Sequence, residues 1–271
     1  MSHLISLRLY GQSISRQSVR LATLYLTRPM NKVEHLPYQI DPSSNRNHYY
    51  ETLWKQKALE LLSKHEPDVK GWSLLDYGSG RGETLMLGAA LGMKVKGTDL
   101  DPECVRLSSS HGEAVVLDLA DPVAQLGAKA YDIVTCFHVL EHVPSPVATL
   151  GHISKMARKY ALLAVPNGRL MPDLLRPSRN CGSINEGHLQ NWDHSHFLNL
   201  AERHCGLKLI EWTFDHVKIP ILSNQICNLL GQKATIFFET RVFKKLFPYQ
   251  STSIIGLFEV VGEPTSGISK H

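Results

Sequence analysis

Three glycines at alternate positions, directly behind an apolar run, are the first feature of this chain with chemical content. The segment reads Leu74-Leu75-Asp76-Tyr77-Gly78-Ser79-Gly80-Arg81-Gly82-Glu83. Glycine is needed where backbone turns tightly and a ligand must approach without a Cβ in the way. The carboxyl end of a strand is where open α/β sheets bind ligands. The third glycine comes one residue earlier than in the dinucleotide fingerprint G-x-G-x-x-G, and Glu83 stands where that pattern ends, so a carboxylate would face a pyrophosphate. Asp76 suits the ammonium and amide groups of a cationic ligand better. Asp99, in Lys96-Gly97-Thr98-Asp99-Leu100-Asp101, falls 21 positions after Gly78, the interval at which an acidic side chain accepts hydrogen bonds from ribose hydroxyls. Asp101, directly before Pro102, reads as a helix cap instead. Asp118, in Val115-Val116-Leu117-Asp118-Leu119, can bond an adenine amino group or simply hold a turn. Three successive apolar runs, each delivering a carboxylate at its end, form a more specific pattern than any one of them.

Such residues must be positioned by a sheet. Strands are expected at 73–77, 94–98, 114–117, 132–136 and 160–165, with helices at 83–91, 102–109 and 146–156 between most of them. Short apolar strands alternating with helices predict a parallel sheet covered on both faces. A helix over 49–63 should precede this alternation, and a helix over 194–204, a strand over 207–214 and a last strand over 253–261 should follow it. The long polar stretch 167–193 reads as a functional loop. Residues 217–248, mixed apolar and basic, read as an insert that can serve as a lid.

The match extends to Tyr131-Asp132-Ile133-Val134-Thr135-Cys136-Phe137-His138-Val139-Leu140-Glu141-His142-Val143, to Ala164-Val165-Pro166-Asn167, and to His188-Leu189-Gln190-Asn191-Trp192 ahead of Phe197 and Leu200. Together these segments resemble the class I S-adenosylmethionine-dependent methyltransferases of the type 11/type 23 group, which includes the ubiquinone-biosynthesis O-methyltransferases. The resemblance covers about residues 70–216. It implies a Rossmann-like, doubly wound α/β fold whose seven-stranded sheet is mostly parallel with an antiparallel last strand. It further implies that Asp76, Gly78, Ser79, Gly80 and Gly82 hold the methionine portion of the donor, that Asp99 and Leu100 take the ribose, that Asp118 and Leu119 take the adenine, and that Phe137 and His138 lie beside the sulfonium. The expected product is S-adenosylhomocysteine.

Methyl transfer is an in-line displacement on an already activated carbon, so alignment supplies much of the catalysis. An oxygen nucleophile also needs its proton removed, a task histidine suits near neutral pH. His138 is the first candidate, with His142 and His188 behind it. A divalent metal is the alternative use of the same residues. Small-RNA 2′-O-methyltransferases, which are relatives by this resemblance, bind one through Glu-x-x-Glu-His. Here His138 replaces the first glutamate, Glu141 and His142 follow, and His188 is a fourth ligand candidate. Because that glutamate is replaced, no metal is assigned.

The 271 residues suffice for one such domain with added segments, and the formal net charge of +4 requires no nucleic-acid partner. Cys104, Cys136, Cys181, Cys205 and Cys227 are scattered, with no zinc or disulfide pattern. Residues 1–47 form a basic arm and linker ahead of a domain at 48–271. The first 33 residues hold Arg8, Arg16, Arg20, Arg28 and Lys32 among serines and contain no acid, a composition shared by packing arms and by transit peptides. The expected compartment is the cytoplasm, with the mitochondrial matrix as the alternative if the arm is a transit peptide. Arg169, Arg176 and Arg179 in one loop, and Arg241, Lys244 and Lys245 among phenylalanines in the insert, point to an anionic or lipid-like small acceptor and to contact with a membrane surface. DNA is not expected as a partner, and RNA is disfavoured by the mild charge and the lack of a recognisable RNA-binding module. An RNA or protein methyltransferase, and a non-catalytic cofactor-binding assembly protein, are the competing functions.

Overall fold

The computed structural model describes residues 45–168 and 187–262. The expectations for residues 1–44, for Arg169, Arg176 and Arg179, and for Cys181 lie outside the described residues. A helix α1 (Asn45–His65) leads into an alternation of β1 (Ser73–Tyr77), α2 (Glu83–Ala90), β2 (Lys94–Asp99), α3 (Pro102–Ser108), β3 (Glu113–Val116), α4 (Pro122–Leu126), β4 (Tyr131–Phe137), α5 (Pro146–Met156) and β5 (Ala157–Pro166). Then come α6 (His194–His204), β6 (Leu207–Thr213), the insert helix α7 (Pro220–Phe237), a π-helical stretch Phe238–Phe243, a short α8 (Lys244–Leu246), a 3-10 turn (Pro248–Gln250) and β7 (Ser253–Val260).

All seven strands join one sheet in the order β3-β2-β1-β4-β5-β7-β6. Strands β1 to β5 run parallel, and β7 lies antiparallel between β5 and β6. The order reverses at β1/β4, so the carboxyl ends of these two strands bound the crevice in which doubly wound sheets hold ligands. The near-continuous apolar runs predicted a sheet covered on both sides, and the core divides accordingly. Leu75, Val134, Leu163, Phe197 and Phe258 belong to one buried cluster, while Leu62, Leu74, Leu85, Ile133 and Leu162 belong to the other. Leu74 and Leu75, and likewise Ile133 and Val134, fall in opposite clusters because successive strand side chains point to opposite faces.

Helix starts follow their capping chemistry. Asp101, Asp121 and Ser145 accept hydrogen bonds from backbone N–H groups of the turns they open, each directly before a proline. Among the described residues, no helix is long and apolar enough to cross a membrane.

Candidate functional site

The glycine loop is shaped by its neighbours. Gly78, Gly80 and Gly82 all have left-handed backbone, with φ of 85°, 53° and 88°. The amides of Gly78 and Ser79 both donate to the Thr98 carbonyl, which pins the loop to the end of β2. A Cβ on Gly78 would lie 2.3 Å from Val139, and one on Gly82 would lie 2.8 Å from the Ser108 backbone. Around Gly80 nothing lies within 4 Å of such an atom. Two glycines thus permit close packing of the loop on the protein, and the third presents bare backbone to open space. The Ser79 side chain does not face that space; its hydroxyl is 3.3 Å from that of Ser108, which ties the loop to α3.

Asp76 ends β1 beneath the loop and is almost wholly buried. Burial pushes its carboxyl up to about 6, against hydrogen bonds from the hydroxyls of Thr135, at 2.6 Å, and Thr84. The nearby cation, Lys55 of α1, bonds Glu83 at 2.8 Å. Burial alone would raise the Glu83 carboxyl, but the ion pair with Lys55 holds it below its ordinary value. The Glu83 charge is thereby matched inside the protein, while Asp76 is bonded by hydroxyls and feels the Lys55 charge without bonding it. Asp99 receives the Gly80 amide at 2.8 Å on one oxygen and the Asp101 amide at 3.0 Å on the other. Each oxygen keeps a second lone pair for a ligand hydroxyl. Asp118 is exposed two residues past the end of β3, which stops at Val116 rather than Leu117, and it accepts from the Ala120 amide. The turn role therefore exists in the structure, and one oxygen stays without a hydrogen bond among the described residues. Leu100 and Leu119 follow their strands as exposed apolar side chains at this same edge.

Past β4 the chain turns sharply at His138, one of two non-glycine residues with positive φ among those described. Its ring stands 4.7 Å from Trp54, which also meets Phe137 edge-on at 5.2 Å. His138 Nδ1 lies 3.2 Å from Glu141, and Nε2 lies 3.2 Å from the Ser253 hydroxyl. Burial would raise the Glu141 carboxyl, yet the bond and charge of His138, a backbone hydrogen bond and His142 together bring the net shift downward. Beside His138 opens a cavity of about 250 Å³, lined by Tyr50, Trp54, His138, Asp215, His216, Lys218, Thr252 and Ser253. Its walls come from α1, the end of β4, the start of the insert and the start of β7.

His142 and His188 turn elsewhere. Their rings meet at 4.9 Å, and His142 Nδ1 bonds the Gly187 carbonyl at 2.9 Å. With Glu141 they bring three ligand atoms within 4.8 Å of one another, a set that could hold a transition metal. His138 does not belong to this group, so the sequence-expected quartet of metal candidates divides. Burial lowers the His188 imidazole pKa. Sequence reasoning missed most of the cavity wall: Tyr50, Asp215, His216 and Lys218 follow no spacing rule, and only the adjacency of Asp215 and His216 at the end of β6 hints at a pair.

A family model described as a methyltransferase domain matches residues 46–211. Ubiquinone biosynthesis O-methyltransferases are similar in sequence: that of Photobacterium profundum is 31% identical over 118 residues, 41% of this chain and 47% of the relative. That of Xanthomonas oryzae is 37% identical over 137 residues, 46% of this chain and 54% of the relative. The chain thus spans about half the length of these relatives. Among solved structures, magnesium protoporphyrin IX methyltransferase from Synechocystis with bound S-adenosylhomocysteine has a TM-score of 0.56 at 15% identity, over 82% of this chain and 88% of that one. A methyltransferase from Archaeoglobus fulgidus has a TM-score of 0.54 at 16% identity, over 79% and 99%. The sheet order, the glycine loop with its acidic strand ends and the family match over 46–211 agree, and the chain belongs to the class I S-adenosylmethionine-dependent methyltransferases.

Proposed function

We propose that the chain methylates an oxygen atom of a small molecule, holding the donor at the glycine loop and the acceptor in the cavity beside His138. The observation that carries this reading is the junction of the two spaces. The loop and its acidic strand ends lie on one side of β4, the cavity opens on the other side of the His138 turn, and Trp54 packs on both Phe137 and His138.

The residues present fit the donor. Gly80 offers bare backbone with open space over it, and Asp76 offers a buried carboxylate with no cation bonded to it in the described protein. Asp99 and Asp118 supply acceptors for ribose hydroxyls and an adenine amine, and Leu100 and Leu119 supply apolar contacts at the same edge. When bound, the donor provides an activated methyl group. Everything else is left to the chain: holding both partners in line, excluding water and taking a proton from the acceptor. His138 stands at the junction with its ring fixed by Glu141 and Ser253.

The insert fits the role of a lid. It packs on α1 through Glu239 of the π-helical stretch, which receives the Tyr50 hydroxyl, and it exposes Ile221, Leu229, Leu230, Phe237 and Leu246 along its outer side. With Lys245 and Arg241 nearby in sequence, that surface suits an acceptor of anionic or lipid-like character and contact with a membrane surface. Calorimetry with S-adenosylhomocysteine tests the donor half. A saturable heat is expected, with thermal stabilisation of about 2.7 kcal/mol at a hundredfold excess over Kd. NAD should give neither; absence of heat with S-adenosylhomocysteine would overturn the reading.

A further inference from the structure

The cavity contains a second histidine, and its hydrogen bonds differ from those of His138 in the one respect that matters for accepting a proton. Glu141 is an acceptor for His138 Nδ1–H, so in the neutral ring Nε2 holds the lone pair, and the Ser253 hydroxyl at 3.2 Å is placed to donate to it. The basic nitrogen of His138 is therefore occupied by the protein.

His216 is arranged otherwise. Asp215, fully buried, receives the Thr252 hydroxyl at 2.8 Å. His216 Nδ1 lies 3.3 Å from the same Asp215 oxygen and 3.2 Å from the Thr252 oxygen. Thr252 has one hydroxyl proton and gives it to Asp215. Burial alone would raise the Asp215 carboxyl, but the His216 and Thr252 bonds bring it below its ordinary value, so it acts as an acceptor. The proton between these groups must then sit on His216 Nδ1, which leaves the lone pair on Nε2. That nitrogen has no hydrogen-bond partner among the described residues and is not sealed from solvent, and His216 lines the cavity. The ring is held flat by Tyr50, stacked at 3.8 Å and 4°. Backbone bonds from Thr252 N to the His216 carbonyl and from Val217 N to the Glu239 carbonyl fix the segment on both sides.

We propose that His216, oriented by Asp215 and Thr252, is the proton acceptor for the hydroxyl of the molecule methylated in this cavity. The inference rests on the methyl-transfer reading above. The hydroxyl proton passes to Nε2, the oxygen pair forms the bond to the methyl carbon, the carbon–sulfur pair stays with sulfur, and the imidazolium then releases its proton to solvent. Asp215 acts through His216 and is a positioning residue, an arrangement with the logic of acid–histidine pairs in hydrolases. Charged or titratable groups around the pair are Tyr50 on α1, Lys218 beside it, Glu239 and Lys244 from the insert, and His138 across Ser253.

The test is histidine nitrogen NMR on the full chain saturated with S-adenosylhomocysteine, at mildly alkaline pH, with H216Q to assign the signals. Wild type should show His216 protonated on Nδ1 and bare on Nε2, and D215N should lose that preference while still binding S-adenosylhomocysteine. The probe 3-hydroxybenzoate carries a ring for the aromatic walls, a carboxylate for Lys218 and a hydroxyl; benzoate lacks only the hydroxyl. The first should shift Nε2 toward the protonated range and the second should not. A proton on Nε2, equal responses to the two probes, or a response to neither would overturn the assignment. Calorimetry on the same sample separates the two ideas: no heat with S-adenosylhomocysteine defeats the methyl-transfer reading itself, whereas normal heat with the wrong His216 behaviour defeats only this one.

Discussion

A buried carboxylate with no cation bonded to it is a liability, and Asp76 is one. Its pKa in the folded protein stands near 6, above the ordinary 3.8, because burial penalises its charge. The folded state therefore holds the Asp76 proton more tightly than the unfolded chain does. This contribution to stability is complete below about pH 4 and is lost as pH rises to and beyond 6, a change of about 3 kcal/mol for this group. D76N, which has no charge to bury, should melt higher than wild type at pH 8, with the advantage shrinking towards pH 4, and should bind S-adenosylhomocysteine at least about tenfold more weakly, a loss of about 1.4 kcal/mol. Denaturation at the two pH values with calorimetry on each protein checks both halves. A variant that melts lower than wild type at pH 8 would remove Asp76 from this role.

At the scale of elements, a buried bond joins α1 to the insert. Glu239 is fully buried in the π-helical stretch; one oxygen receives the Tyr50 hydroxyl, and the other has no partner among the described residues. Y50F leaves the carboxylate without that donor and should cost about 2 kcal/mol in urea denaturation. The double variant Y50F/E239L, which removes the polar group as well, should recover most of that loss, since burying neither partner avoids the desolvation penalty. Failure of the second change to recover stability would mean that the bond does not set the docking of the insert.

This region is also where the sequence was least legible. The parallel half of the sheet is readable because four of its five strands end within two residues of Gly, Asp or Pro, β4 running into His138 instead, and because Asp101-Pro102 and Ser145-Pro146 mark helix starts; α5 lies at its expected limits. The helix α4 was missed because five residues offer no period. The insert is illegible in the sequence for a different reason. Its helix is broken at Gly231, where φ is 82°, and it passes into π geometry at Phe238, so no single repeat describes it. The glycine loop, Asp76 and Asp99 could be placed because their spacing is local. Asp215 and His216 acquire meaning only from Thr252, 37 and 36 positions away, and from Tyr50 on the first helix.

Over the whole molecule, β7 is the strand on which the antiparallel half is built. Gly256 lies at its centre, where a Cβ would stand 2.6 Å from the Trp212 ring and 2.7 Å from that of Phe258. G256V should therefore lower stability by about 2 kcal/mol through overpacking, visible as a reduced urea midpoint with an unchanged slope. An effect of a few tenths would show that the two rings move aside.

The placement of β7 between β5 and β6 also dictates an order of assembly. Strand β6 finishes at Thr213, forty residues before its neighbour begins at Ser253, and among the described residues it pairs with no other strand. Until β7 arrives, β5 presents the buried run Ala161–Val165 along an unpaired rim, the kind of rim that recruits other chains. Because Thr252 and Ser253 sit at the very start of that late strand, the chemistry of the pocket switches on only when the sheet is sealed. A half-made molecule would hold the architecture for gripping a nucleoside and the Asp215–His216 pair, but not the hydroxyls of Thr252 and Ser253 that orient the pocket histidines.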